Sequence, residues 1–270
     1  MNDRPNNPSS EASHSAAPGL AVLAPEAAAS QETGTPPSMV PGRLSVLLPV
    51  FNERATLLDL LRRIRAVPVD KEIVIVDDAS TDGTQEILKT QVEGRFPDVR
   101  VLYHAHNQGK GASIRTAIPY ATGEYCIIQD GDLEYDPADY VPILRAFQKQ
   151  GATVVYGSRF QQGWPKMRLP NKVVNKLLAW MVRSFFRMPL TDEATCYKAF
   201  RTEVLQNLPL TCRRFEFCPE VTAKLIRRGH RIVEVPIHYA ARSMAEGKKI
   251  RWTDGIAAIW TLLKFRFVRF

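Results

Sequence analysis

Ile127-Ile128-Gln129-Asp130-Gly131-Asp132-Leu133-Glu134 is an apolar run that ends abruptly in carboxylates. In an extended chain, residues i, i+2 and i+4 point to the same side, so Asp130, Asp132 and Glu134 are predicted to project together. Clustered carboxylates raise one another's pKa, and a divalent cation relieves that cost. Because the donors are hard oxygens, the pattern predicts that these three residues bind Mg²⁺ or Mn²⁺. The alternative is an ordinary strand that runs into an acidic, solvated turn.

An apolar strand that ends in polar residues occurs repeatedly along the first half of the chain. Apolar runs at residues 45–50, 72–76, 99–103 and 125–129 have the character of buried strands, and segments of helical periodicity separate them. This alternation predicts an α/β fold, with βαβ units on a mostly parallel sheet flanked by helices. Ligands of such sheets bind outside the carboxyl ends of the strands, where the polar clusters of this chain lie.

The second half of the chain shows a looser pattern. It predicts, in order, a strand, a basic helix, a helix, a strand and a closing helix, at residues 154–156, 172–187, 217–228, 231–235 and 253–267. Residues 1–42 are rich in Pro, Ala, Ser, Asn and Gly without a sustained period, which predicts a disordered tail. We therefore expect one domain, formed by residues 43–270.

Composition limits the class of protein. The chain of 270 residues is 45% hydrophobic and 24% charged, as ordinary soluble proteins are. The four cysteines form no CxxC pair, so neither a zinc site nor a disulfide framework is predicted, and a reduced, cytoplasmic setting fits better. No uncharged apolar run reaches the roughly 18 residues of a membrane span, and the N-terminus lacks the pattern of a secretory signal. We therefore expect no transmembrane helix.

Charge is unevenly distributed along the chain. The net charge is +8, although residues 1–42 contain four acidic residues and one arginine. Such a basic body predicts an anionic partner, which is a nucleic acid, a phosphate-bearing substrate or an acidic membrane surface. We expect no nucleic acid, because no binding motif for it is present and carboxylate clusters among the basic residues would repel its backbone.

Two loops at predicted strand ends carry further binding candidates. Asp77, Asp78 and Asp82 offer acceptors suited to ribose hydroxyls and a base edge, although an ordinary helix-capping turn explains them equally well. Asn107-Gln108-Gly109-Lys110-Gly111 combines permissive glycines with a lysine at a predicted helix start, which indicates a diphosphate contact. The spacing of a P-loop is absent, and no G-x-G-x-x-G follows the first strand, which argues against a nicotinamide enzyme.

Together these motifs resemble those of family 2 glycosyltransferases. They occur in the order and spacing of that family, at residues 49–53 (PVFNE), 77–84 (DDASTDGT), 107–111 (NQGKG) and 130–132 (DGD). Downstream, residues 192–201 (DEATCYKAFR) and 246–250 (EGKKI) resemble the dolichyl- or polyprenyl-phosphate sugar synthases within the family. The resemblance covers roughly residues 43–270.

The resemblance implies a GT-A fold that binds a nucleotide-sugar. The donor-binding residues that it implies are a base pocket, a nucleoside contact and a phosphate contact: Pro49, Phe51 and Glu53, then Asp78, then Lys110. Asp82 is a further candidate from the same loop as Asp78. Asp130 and Asp132 match the DxD pair of the family, with the metal between protein and diphosphate. Glu134 lies where relatives often have Gln, which keeps an oxygen donor and adds negative charge.

The implied reaction is attack by a lipid phosphate oxygen on the anomeric carbon, with loss of a nucleoside diphosphate and inversion. The metal, held in part by the catalytic candidate Asp132, neutralises charge on the leaving diphosphate. A phosphate monoester is already anionic, so it needs cations that hold it in line. The residues implied for that phosphate are Arg159, also a catalytic candidate, and Arg168, with a lid of Arg242, Lys248 and Lys249. The alternative for the lid is a solvated basic loop.

The sequence leaves the sugar and the acceptor open. Mannose from GDP and glucose or N-acetylglucosamine from UDP are all compatible with the motifs. If the acceptor were a glycan or protein hydroxyl, Glu216 or Glu220 would be a candidate base, although acids are favoured at any helix start. A sugar nucleotidylyltransferase would need a Gly-rich, Arg-containing first loop, where this chain has PVFNE. The intact Asp130/Asp132 pair argues against a non-catalytic sensor.

Two segments combine apolar bulk with positive charge. One covers residues 172–187 and contains Trp180, and the other covers residues 256–270 and contains Trp260. Trp with Lys and Arg on an apolar helix is typical of helices that lie in a bilayer interface. The alternative is packing on the core of the domain itself. We expect peripheral attachment to the cytoplasmic face of a membrane.

Overall fold

The structure, a computed structural model, describes residues 42–163, 167, 169–241, 252–268 and 270, without the side chain of Trp252. Apart from Gly42, the tail predicted at residues 1–42 lies outside this part of the chain. Four residues implied for the acceptor phosphate also lie outside it: Arg168, Arg242, Lys248 and Lys249.

Strands and helices alternate through the first half of the chain, as the sequence predicts. They are β1 (Leu44–Val50), α1 (Leu57–Ala66), β2 (Lys71–Asp77), α2 (Thr84–Ile87) with a π-helical continuation (Leu88–Val92), β3 (Val99–Tyr103), α3 (Lys110–Ala117), β4 (Tyr125–Ile128) and α4 (Tyr140–Gln150). The second half contains β5 (Val154–Ser158), α5 (Leu169–Phe186), β6 (Lys198–Arg201), α6 (Thr202–Gln206), α7 (Phe217–Arg227), β7 (Ile232–Pro236) and α8 (Trp252–Phe267).

Within the described residues, seven strands form one sheet in the order β3-β2-β1-β4-β6-β5-β7. The pairs β3-β2, β2-β1, β1-β4 and β5-β7 are parallel, as alternation of strands and helices favours. β6 lies antiparallel between β4 and β5. The predicted α/β class with a mostly parallel sheet is confirmed, whereas the antiparallel strand was not predicted.

The centre of the sheet explains why its strands are continuous apolar runs. Val46, Leu47 and Leu48 of β1 are all fully buried, because neighbouring strands flank β1 and helices cover the faces of the sheet. β6 runs opposite to both of its neighbours, and the other pairs are parallel, so all the strands except β6 run in the same direction. The loops that follow those strands therefore lie along one edge of the sheet.

Lys198, at the start of β6, is fully buried. Its ammonium donates a hydrogen bond to the backbone carbonyl of Glu193 at 2.6 Å. Its Nζ also lies 4.0 Å from Glu193 Oε1 and 3.7 Å from the centre of the Tyr156 ring. Burial raises the pKa of Glu193, and the charge of Lys198 opposes that shift. This pair supports, from inside the core, the loop that leads from α5 to β6.

Lys198→Met should lower the free energy of unfolding by about 3–5 kcal/mol, because it leaves Glu193 buried without its cation. Urea unfolding measures the change. Lys149→Met, at an exposed position of α4, is the matched control and should change it by less than about 0.5 kcal/mol. Equal effects of the two substitutions would contradict a supporting role for the buried lysine.

Candidate active site

The candidate site lies on the loops that follow β1, β2, β3, β4 and β5. The loop after β4, residues 129–134, is called the carboxylate loop here. A Cβ added at Gly131 would lie 3.0 Å from Glu53 Cγ and 3.6 Å from the Pro49 carbonyl oxygen. The Thr56 hydroxyl joins the two loops, since it donates to Glu53 Oε2 at 2.9 Å or to the Gly131 carbonyl at 3.0 Å. The structure thus brings Pro49 and Glu53, predicted for the base pocket, against the carboxylate loop.

The prediction that the carboxylate loop continues the strand is wrong. β4 ends one residue before Gln129, whose side-chain oxygen turns inward and accepts hydrogen bonds from the hydroxyls of Tyr140 and Tyr197 at 2.5 and 2.7 Å. The chain then bends, and Asp132 Oδ1 accepts a hydrogen bond from the Glu134 backbone N–H at 3.0 Å. Because the loop bends, the two-residue alternation of a strand does not apply to its carboxylates.

The predicted set of three metal ligands, Asp130, Asp132 and Glu134, stays a prediction. Among the residues that the structure describes, no group of three His, Cys, Asp or Glu side chains could hold a metal ion. Asp130 forms an ion pair with Lys110, and Glu134 Oε2 accepts a hydrogen bond from the Tyr239 hydroxyl at 2.8 Å. Asp130 and Asp132 still fit a Mg²⁺ site of the kind in which one or two carboxylates act together with substrate phosphates.

Lys110, the first residue of α3, lies at the carboxylate loop. Burial alone would lower the pKa of Lys110, but the Asp130 carboxylate outweighs it and holds that pKa well above its ordinary value. The Cys196 thiol lies 3.6 Å from Nζ. Gly109 precedes the lysine with φ at 96°, and a Cβ there would lie 2.5 Å from the Arg213 carbonyl oxygen, so the turn requires glycine. Lys110 is thus held charged at a helix N-terminus, where anions are favoured.

Asp78 supports the loop before α3. Its buried carboxylate accepts hydrogen bonds from the backbone N–H groups of Gln108 at 2.8 Å and Gly109 at 2.7 Å. It also contacts His104 Nδ1 at 2.7 Å. These contacts give Asp78 a structural role that the sequence did not reveal, and its contact with a nucleoside stays a prediction.

Asp77, the neighbouring residue, has a different environment. Its Oδ2 accepts hydrogen bonds from the Ser80 backbone N–H at 3.0 Å and the Gln85 side-chain amide at 2.7 Å. Its buried Oδ1 has no hydrogen-bond partner among the described residues. A buried acceptor without a donor is costly, whereas both Asp78 oxygens have donors. The sequence offered both aspartates as acceptors, and the family resemblance then singled out Asp78.

Asp82 and Phe51 lie in the turns beside this pair. The Asp82 carboxylate accepts hydrogen bonds from the backbone N–H groups of Arg54 at 3.1 Å and Thr84 at 3.0 Å. The alternative of an ordinary turn that caps a helix therefore describes its contacts. Phe51 follows β1 directly and is half-buried. The donor contacts of both residues stay predictions.

Arg159 follows β5 directly and is held by Asp192. Its Nε and Nη2 donate to the two Asp192 oxygens at 2.7 and 2.8 Å, and its backbone N–H donates to the same carboxylate at 3.0 Å. Arg159 is only 8% exposed, and its guanidinium lies 5.1 Å from the centre of the Tyr239 ring. Glu234 of β7 accepts a hydrogen bond from the Asp192 backbone N–H at 2.9 Å. The sequence identified Arg159 but not this support, because the partner lies 33 residues away.

Glu216 and Glu220, the alternative candidate bases, both make structural contacts at the start of α7. Glu220 is buried, forms an ion pair with Lys224 at 2.5 Å and accepts a hydrogen bond from the Thr211 backbone N–H at 2.8 Å. Glu216 accepts a hydrogen bond from the Arg213 backbone N–H at 2.7 Å. Structure therefore accounts for both acids without a role in proton transfer.

Two helices that pack together, α5 and α8, present large apolar side chains to solvent. One face of each helix carries them at helical spacing: Leu169, Val173, Leu177 and Trp180 on α5, and Ile256, Trp260 and Phe267 on α8. Trp260 is 67% exposed, so packing on the core of the domain does not account for its position. In the part of the chain that the structure describes, no helix is both long and apolar enough to cross a membrane.

The sheet and its flanking helices define a GT-A-type glycosyltransferase fold. Glucosyl-3-phosphoglycerate synthase from Mycobacterium tuberculosis, in complex with Mn²⁺, UDP and phosphoglyceric acid, matches with a TM-score of 0.63 at 18% identity over 85% of this chain and 80% of that one. The same synthase with Mg²⁺ and UDP matches with a TM-score of 0.62 at 18% identity over 85% of this chain and 81% of that one. At these identities the likeness concerns the fold.

Sequence comparison identifies the family. The family model "Glycosyl transferase family 2" matches residues 45–208, and the chain belongs to that family. The undecaprenyl-phosphate mannosyltransferase of Micrococcus luteus is 28% identical over 246 residues, which cover 83% of this chain and 98% of the relative. The dolichol-phosphate mannosyltransferase of Pyrococcus furiosus is 28% identical over 217 residues, 76% of this chain and 59% of that protein. The predicted family and the assignment as a glycosyltransferase are confirmed.

Proposed function

We propose that the protein transfers a hexose from GDP-mannose or a UDP-hexose to the phosphate of a polyprenyl phosphate, with inversion and with a divalent metal ion. Relatives named as undecaprenyl- and dolichol-phosphate mannosyltransferases support this acceptor class. The observation that carries the proposal is the buried Arg159, fixed by Asp192 and joined through Tyr239 to the carboxylate loop. A phosphate acceptor requires such a fixed cation close to the donor diphosphate.

On the donor side, Asp130 and Asp132 are the residues that would hold the metal against the diphosphate. When bound, Mg²⁺ or Mn²⁺ supplies positive charge at the leaving group. Lys110 already forms an ion pair with Asp130, and we propose that its ammonium contacts a phosphate oxygen of the donor. The complexes of the Mycobacterium tuberculosis synthase with UDP and Mn²⁺ or Mg²⁺ support a nucleotide and a divalent ion for this fold.

On the acceptor side, a cavity of about 400 Å³ is lined by residues of α5 and by sequence neighbours of Arg159 and Asp192. Its lining residues are Phe160, Gly163, Lys176, Ala179, Arg183 and Thr191. Phe160 follows Arg159 in sequence and Thr191 precedes Asp192, so we propose that this cavity receives the acceptor. Apolar walls with two cations suit a phosphate group on a hydrocarbon chain. Arg168, Arg242 and Lys248 are proposed to add further contacts to that phosphate.

A polyprenyl acceptor resides in a membrane, and the exposed faces of α5 and α8 are proposed to lie in its cytoplasmic interface. Tryptophan with neighbouring Lys and Arg suits the boundary between headgroups and acyl chains. α5 exposes Trp180 and also contributes Lys176 and Arg183 to the cavity. The helix would therefore connect the membrane surface with the acceptor phosphate site.

Replacing both exposed tryptophans, as Trp180→Ser with Trp260→Ser, should weaken binding to anionic vesicles about tenfold or more. The reason is that each indole, when it inserts into the interface, removes a large apolar area from water. Co-sedimentation measures the bound fraction. Tyr120→Ser, at an exposed aromatic residue outside the two helices, is the control and should bind as the wild type does. Unchanged vesicle binding by the double variant would contradict attachment through α5 and α8.

The reaction is tested with labelled GDP-mannose, UDP-glucose and UDP-N-acetylglucosamine, each offered with a short polyprenyl phosphate and Mg²⁺ or Mn²⁺. We expect label in the organic phase from one donor, and we expect chelation to abolish it. Transfer to a glycan or protein hydroxyl, with no lipid product from any donor, would reject the proposed acceptor and leave the family assignment unchanged.

A further inference from the structure

Tyr239, which follows β7, contacts both halves of the candidate site. Its hydroxyl donates a hydrogen bond to Glu134 Oε2 at 2.8 Å, and its ring centre lies 5.1 Å from the Arg159 guanidinium. The backbone is held at the same place, since Tyr239 forms a β-bridge with Tyr135 and the Ala240 N–H donates to the Glu134 carbonyl at 2.8 Å. None of the sequence motifs includes this tyrosine.

The two contacts act on groups that need a fixed position. Asp192 holds Arg159 through its Nε and Nη2, and an aromatic ring near a guanidinium adds a cation–π attraction. Glu134 carries a full negative charge where an amide would have none, and a hydroxyl donor both orients and stabilises such a carboxylate. One side chain therefore restrains the carboxylate loop and the acceptor arginine at the same time.

We propose that Tyr239 is a positioning residue that couples the donor-binding loop to the acceptor-binding arginine. The hydroxyl sets the orientation of Glu134 and hence of the carboxylate loop, and the ring sets the orientation of Arg159. This inference rests on the proposed function, which assigns the donor to the carboxylate loop and the acceptor to Arg159. The simpler explanation is that Tyr239 only packs against Tyr135, at a centroid distance of 5.3 Å.

Two substitutions separate the hydroxyl from the ring. Tyr239→Phe keeps the ring and removes the hydrogen bond to Glu134, so we expect nucleoside diphosphate to bind about tenfold more weakly in the presence of Mn²⁺. We expect the KM for polyprenyl phosphate to stay unchanged in this variant. Tyr239→Leu also removes the ring from Arg159, and it should raise that KM about threefold in addition.

A double-mutant cycle with Glu134→Leu, which removes the acceptor of the hydrogen bond, tests whether the hydroxyl acts through Glu134. Calorimetry measures the binding of GDP and UDP with Mn²⁺ to the wild type, Tyr239→Phe, Glu134→Leu and the double variant. If the hydroxyl acts through Glu134, then Tyr239→Phe should have a much smaller effect in the Glu134→Leu background. Urea unfolding of the same four proteins reports on packing, which the hydroxyl should alter far less than it alters nucleotide binding.

Equal nucleotide binding by the wild type and Tyr239→Phe would overturn the proposal, as would a full effect of Tyr239→Phe in the Glu134→Leu background. A parallel loss of stability and of binding in Tyr239→Phe would show packing alone and would also overturn it. The proposed function fails by a different result, which is a wild-type protein that transfers no sugar to any lipid phosphate.

Discussion

Asp132→Ala is expected to slow sugar transfer by a factor of about 10²–10³, because it removes a carboxylate proposed to hold the metal against the leaving diphosphate. The initial rate of label transfer from the donor that gives a lipid product measures the effect. Asp132 is half-buried on the bent carboxylate loop, and it accepts a local hydrogen bond from Glu134. The free energy of unfolding should therefore change little.

Asp136→Ala is the matched control for this substitution. Asp136 is exposed just beyond the carboxylate loop, and its Oδ1 likewise accepts a local hydrogen bond, from the Ala138 backbone N–H at 2.9 Å. The control variant should transfer sugar at the wild-type rate. Equal rates for the Asp132→Ala and Asp136→Ala variants would remove Asp132 from the catalytic site.

Asp192→Asn is expected to lower the free energy of unfolding by about 3–5 kcal/mol, since it leaves the charge of Arg159 buried without its counterion. It should also raise the KM for the lipid phosphate, because the guanidinium loses the support that fixes its direction. Urea unfolding and initial rates at varied acceptor concentration measure the two effects separately. A variant with wild-type stability and wild-type acceptor KM would contradict the role of this pair.

Two further variants show whether burial causes the loss of stability. Glu124→Gln breaks an ion pair with Arg201 of 3.1 Å that is partly exposed, and it should cost less than about 1 kcal/mol. Arg159→Met combined with Asp192→Leu removes both buried charges, so it should recover most of the stability that Asp192→Asn loses. Transfer to the lipid phosphate should stay low in this double variant, since the fixed cation is absent.

The parallel part of the fold was predictable from local patterns. Continuous apolar runs separated by helical periodicity identified β1 to β4 and the helices between them, because strands buried on both faces must be apolar throughout. The edge of the sheet that carries the site followed from the same alternation. Residues of the family motifs came from the resemblance, and PVFNE, DDASTDGT and DGD lie at the ends of β1, β2 and β4.

Features that depend on distant contacts were not predictable. The short strand β6 pairs antiparallel with β4 and β5, and nothing within Lys198–Arg201 itself indicates that direction. The bend after β4 arises because Gln129 is held by Tyr140 and Tyr197, which lie elsewhere in the sequence. For this reason the two-residue alternation of a strand does not describe the carboxylates at positions 130, 132 and 134.

The contacts of Arg159 and Tyr239 were missed for a similar cause. Asp192 belongs to a motif that the sequence identified, but only the folded chain shows that its carboxylate holds Arg159. Tyr239 belongs to no motif, and its partner Glu134 is 105 residues away. The one available signal was the acidic residue at position 134, whose added charge relative to an amide called for a hydrogen-bond donor nearby.

The most direct test of the central claim compares a polyprenyl phosphate with the free polyprenol of the same chain length. Both are offered to the wild-type protein with the active nucleotide-sugar and Mg²⁺, and label in the extracted lipid is counted. The account predicts transfer to the phosphate and none to the alcohol, since Arg159 is fixed to orient an anionic oxygen. Equal transfer to both lipids, or transfer to the alcohol alone, would contradict it.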